Sequence, residues 1–77
     1  MTCANYTLIV LQQASKPIPL WKIQEQILKR WRVRYETTAI SARIRDEVRD
    51  KLNRDGKTVL SNRDGDKRVH VYWIGNL

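Results

Sequence analysis

Four cations fall within six positions at Lys29-Arg30-Trp31-Arg32-Val33-Arg34, with no acid among them. Guanidinium groups at that density suit phosphate oxygens, which they grip bidentately, and each neutralised phosphate releases counterions. The bland use of such a run is a solvated face. Tyr35 closes the run and carries a hydroxyl that can bond a phosphate. A second set lies at Thr38-Ala39-Ile40-Ser41-Ala42-Arg43-Ile44-Arg45-Asp46, with Arg49 beyond it. On a wheel of about 100° per residue, Ile40, Ile44, Val48 and Leu52 take one side. Thr38, Ala39, Ala42, Asp46, Arg49, Asp50 and Asn53 take the other, flanked by Arg43 and Arg45. The small residues Ala39 and Ala42 let a helix approach a groove floor, and Arg43 and Arg45 can reach guanine O6 and N7, or phosphates. The same charges also suit intrahelical pairs, Arg43 with Glu47 and Asp46 with Arg49. A third set, Asn62, Arg63, Lys67 and Arg68, rims a loop whose Asp64 and Asp66 weaken its attraction for anions.

Catalytic chemistry has little to work with. One His and one Cys stand far apart, three Gly make no phosphate-binding loop, and no spacing resembles a zinc site. No enzyme activity, cofactor or metal is expected. Trp21, Trp31 and Trp73 are read as core, because a small domain needs large side chains at its centre.

Net charge agrees with the cation sets. The chain of 77 residues carries 15 Lys and Arg against 8 Asp and Glu, a formal +7. Residues 20–35 hold five cations against Glu25 alone, so more than half the excess sits there. That balance points to a polyanionic partner and says nothing of fold. The hydrophobic fraction of 42% argues against a disordered basic tail. Residues 1–77 are read as one domain with a modest core. One Cys excludes an internal disulfide framework. The longest apolar run, Leu8-Ile9-Val10-Leu11, is too short for a membrane span or a signal core. A cytoplasmic setting without a membrane partner is therefore expected.

The elements that must position these residues follow from periodicity. Ala4, Leu8, Leu11 and Ala14 share a helical face over Thr2 to Ser15, with Thr2 as cap. Pro17 and Pro19 bracket Ile18 and force an extended link or short edge strand. Leu20, Ile23, Ile27 and Trp31 define a second helix from Leu20 to Trp31, with a Glu25–Lys29 pair on its other side. Ile40, Ile44, Val48 and Leu52 define a third, capped by Thr37 or Thr38 and ending near Asn53 before Gly56. Thr58 to Ser61 and Val69 to Ile74 read as strands joined by a loop built around Asp64-Gly65.

That order, together with the Ile40-Ser41-Ala42-Arg43-Ile44-Arg45 pattern and the helix opened by Trp21-Lys22-Ile23, resembles the winged helix-turn-helix family of small bacterial and phage proteins. The resemblance covers nearly the whole chain. It implies an α+β fold, a three-helix core followed by a two-stranded antiparallel hairpin wing. It also implies binding of double-stranded DNA by a transcriptional regulator or accessory factor of a phage or mobile element. The third helix would enter the major groove, the basic turn would hold phosphates, and the wing would meet backbone or minor groove. Two patterns depart from the family: the turn holds bulky residues where many members have Gly, and the Pro-x-Trp wing of the Z-form binders is absent. The rival reading is an adaptor that docks an acidic protein partner. Pairing of two copies through the first helix stays open.

Overall fold

A computed structural model describes residues 1–63 and 70–77. Three helices pack against one small antiparallel sheet, an α+β arrangement. Helix α1 (Cys3–Gln13) opens where the Thr2 hydroxyl accepts from the Asn5 backbone N–H. Its buried residues are Ala4, Thr7, Val10 and Leu11. Leu8 and Ala14, expected on the same inward line, are half-buried beside them. Thr7 is fully buried because its hydroxyl donates to the Cys3 carbonyl at 2.8 Å, so no polar group is left unsatisfied.

Strand β1 (Ile18–Pro19) leads directly into α2 (Leu20–Trp31), which buries Ile23 and Ile27. Leu20 and Trp31 pack at the rim of the core. Trp21 does not: it is 55% exposed. Two residues ahead of Ile23 it stands about 200° around the helix, so the core was never within its reach. The expected Glu25–Lys29 pair is also unformed; among the described residues the only ion pair joins Arg43 to Glu47.

Helix α3 is one rod over residues 37–54. It is α-helical over Thr37–Arg43, π-helical over Ile44–Val48 and α-helical again over Arg49–Arg54. Its cap residue is Glu36, not Thr37 or Thr38, and no side chain caps it. The π turn has a plain cause. Ile40, Ile44, Val48 and Leu52 are 0–3% exposed, so every fourth residue must face inward. In a regular α-helix each such step overshoots by about 40°, and three steps would carry Leu52 about 120° off the core. The π turn is wider, closing its bonds over five residues, and it takes back that drift.

Gly56, at φ 74°, donates its N–H to the Asn53 carbonyl and turns the chain into β2 (Lys57–Arg63). Strand β3 (His70–Asn76) lies between β1 and β2 and is antiparallel to both. The sheet therefore has three strands rather than the expected two. Pairs Val59–Ile74 and Ser61–Tyr72 face the helices, and Ile18 opposite Tyr72 extends that face. Leu60–Trp73 and Asn62–Val71 face away. Trp73 is accordingly only half-buried and not part of the core cluster. The loop expected around Asp64-Gly65 lies outside the described residues.

The helical register yields a test. Deleting Asp46 shortens the π turn to an ordinary α turn and keeps the apolar line at i, i+4, i+7 and i+11. The deletion variant is expected to fold with helical circular dichroism and to lose no more than about 1 kcal/mol in urea. Loss of the cooperative transition in this variant would mean that the π turn does more than restore the register of the apolar line.

Candidate nucleic-acid interface

A helix that turns its core line inward every four residues sorts its other positions into three more lines. Thr38, Ala42, Asp46 and Asp50 stand opposite the core and form the outer line; Ala42 is half-buried and the other three are exposed. Ser41, Arg45 and Arg49 lie on the flank toward the sheet. They line an open groove of about 210 Å³ together with Ser61 and Tyr72, and among the described residues no carboxylate borders it. Arg45 and Arg49 are exposed and have no ion-pair partner among the described residues. A phosphate or a base edge could take donors from both guanidinium groups and from the hydroxyls of Ser61 and Tyr72.

Arg43 belongs to the third line, with Ala39, Glu47 and Lys51, on the flank toward α1. Its guanidinium donates to Glu47 Oε1 at 2.9 Å. Both groups are near Cys3, whose thiol is pushed above its ordinary value, chiefly by burial. Lys51 reaches Asn5 of α1. The structure thus separates Arg43 from Arg45, which the wheel had set symmetrically about one open face. It also moves Arg49 off the outer line and leaves two carboxylates, Asp46 and Asp50, on it.

The basic turn is held from behind. Tyr6 of α1 packs on Trp31 with ring centroids 4.7 Å apart, and on Tyr35 at 6.2 Å. Gln24 of α2 donates to the Tyr35 carbonyl at 2.8 Å. Tyr35 is therefore a half-buried support of the turn, its ring committed to Tyr6. Arg30 lies over the Trp31 ring, 4.9 Å from its centroid, a cation–π contact. Lys29, Arg32 and Arg34 are exposed.

Arg32 ends α2 at φ 59°, ψ 31°, the left-handed conformation, and its N–H bonds the Leu28 carbonyl at 2.9 Å. It takes the place where many helices put Gly. Sequence reading saw that Gly was missing from this turn but not that an arginine would carry the strained backbone. Of the cations expected on the hairpin, Lys67 and Arg68 lie outside the described residues. Arg63 is described only as the last residue of β2.

Among the described residues no group of three or more His, Cys, Asp or Glu is placed to hold a metal, and no helix is long and apolar enough to cross a membrane. No protein-family model, curated protein or solved structure matches the chain.

The left-handed residue separates charge from conformation. A non-glycine residue there costs about 1–2 kcal/mol, part of which Gly returns in chain entropy. Arg32→Gly is expected to be more stable than Arg32→Ala by about 1 kcal/mol, read from the midpoints of urea unfolding. Equal midpoints would mean that the turn relaxes out of this conformation.

Proposed function

We propose that the chain binds double-stranded DNA in the manner of a winged helix, as a regulator or accessory DNA-binding protein. The observation that carries the proposal is the line of cations along α3 that have no ion-pair partner among the described residues. Arg45 and Arg49 border a groove with the hydroxyls of Ser61 and Tyr72 and no carboxylate among its described lining residues, and the exposed Arg32 and Arg34 continue the positive surface before α3 begins. The element order supports the same reading, with a short strand between α1 and α2 and an antiparallel strand pair after α3.

The division of labour follows from position. Arg32 and Arg34, on the turn, hold phosphates and fix the register of the protein on the duplex without reading sequence. Arg45 and Arg49, with Thr38 and Ala42 near the start of the helix, meet base edges in the major groove. Asp46 and Asp50 repel phosphates, so α3 docks with its sheet flank leading and its outer line turned partly aside. An aspartate left over a base accepts from the cytosine amine, which adds a preference without adding charge attraction. Arg43, on the flank toward α1 and held by Glu47, contributes only if the ion pair opens, at a cost of up to about 1 kcal/mol for an exposed pair.

Selection of bound duplexes from a random pool, followed by titration at two salt concentrations, tests the reading. Wild-type binding to duplex should weaken steeply with salt, by close to one logarithmic unit of slope per phosphate held. Arg45→Ala should lose about 1–3 kcal/mol on the selected site and little on random duplex. Arg32→Ala should weaken both alike and lower the salt slope by about one. Salt-insensitive binding, or none at low salt, defeats the proposal. Equal losses on every sequence for both variants defeat the division of labour.

A further inference from the structure

A second groove lies away from the sheet flank of α3. It runs between the end of α1, the β1 connection and the outer side of α2, and encloses about 620 Å³. Val10, Ala14, Pro17, Ile18 and Pro19 supply apolar surface along it. Lys16, Lys22 and Arg30 stand around it, and among the described residues no Asp or Glu borders it. Trp21 lines it as well and is 55% exposed. An exposed tryptophan beside an apolar floor is the composition of a binding hot spot, since Trp loses a large apolar area from water when covered.

We propose that this groove docks an acidic amphipathic helix of a partner protein, a surface distinct from the proposed DNA face. Three observations select that occupant. Charge comes first: three cations without an acid ask for carboxylates around an apolar ridge. The second is the sheet edge. An extended peptide would have to add to the free side of β1, but Pro17 and Pro19 have no N–H to donate to it. The third is spacing. Lys22, Gln26 and Arg30 recur every four residues along α2, a line about 12 Å long that matches carboxylates one turn apart on a neighbouring helix. A single-stranded nucleic acid fits less well, because successive bases need successive aromatic platforms and Trp21 is the only aromatic among the described residues lining the groove.

The test uses the full chain and a fluorescein-labelled helical peptide with Leu along one face and Glu on both sides of it. Binding is read by fluorescence anisotropy, against the same peptide with Gln for Glu and against labelled oligothymidine. The Glu peptide is expected to bind at least roughly tenfold tighter than the Gln peptide. Lys16→Gln combined with Lys22→Gln should cost it roughly tenfold, and Trp21→Ala roughly thirtyfold or more. These side chains are exposed, so thermal melts of both variants should overlay the wild type. Equal affinity for the two peptides, or affinity untouched by the variants, overturns the proposal. Tighter binding of oligothymidine that falls with the same variants assigns the groove to nucleic acid and also overturns it. So does a dimer seen in sedimentation at assay concentration and lost in Trp21→Ala, which assigns the groove to a second copy. None of Lys16, Trp21 and Lys22 belongs to the proposed DNA face, so failure here leaves that reading standing.

Discussion

Everything on the surface of α3 is set by one demand: four aliphatic side chains, each four residues from the last, must all stay out of water. Burial of such a side chain is worth about 1.5–3 kcal/mol, and a regular α-helix could not keep all four inside. The backbone yields instead. A π turn is an unusual conformation, and here it costs less than turning Leu52 toward solvent. Once the turn is in place, the remaining positions fall into lines that differ in chemistry. One carries arginines with no ion-pair partner among the described residues, one carries two aspartates, and one holds the Arg43–Glu47 pair and is tied to α1 through Lys51. The surface pattern is a by-product of how the core is satisfied.

The turn ahead of α3 obeys a different constraint. Its cations repel one another, so something uncharged must hold them together. Tyr6, Trp31 and Tyr35 form that backing, with Gln24 fixing the chain path. Arg32 pays with its backbone for a place on the outside of the bend. A rigid display of cations loses less entropy on meeting a polyanion than a flexible one, which is why a small domain gains from spending aromatic area behind a charged turn.

Much of this was legible beforehand. The extent of α2, expected from about Leu20 to Trp31, agrees with the structure, because Leu20, Ile23, Ile27 and Trp31 make a clean inward line. The apolar line of α3 was equally plain. Its exact four-residue repeat already contained the π turn, since no regular α-helix sustains it, but a wheel drawn at one fixed angle hid the consequence. That is why Arg49 was set opposite the core and Arg43 was set level with Arg45. Thr7 was invisible as a core residue because its polarity disguises a hydroxyl satisfied one turn back. Trp21 and Trp73 were misplaced by residue type: size suggested burial, while their positions on α2 and β3 gave them no route inward. The partnership of β1 with β3 joins residues far apart in the chain, and local periodicity carries no record of it.

The last turn of α3 meets the first turn of α1 and the chain just after β3. Lys51 touches Asn5, and the Leu77 N–H bonds the Gly56 carbonyl at 3.0 Å. The basic turn sits at the opposite tip of the same rod, and 18 helical residues measure about 27 Å. A label or fused neighbour placed after Leu77 therefore hangs behind the domain, clear of Arg32 and Arg34. One placed before Thr2 leaves from the first turn of α1, whose Tyr6 backs the basic turn.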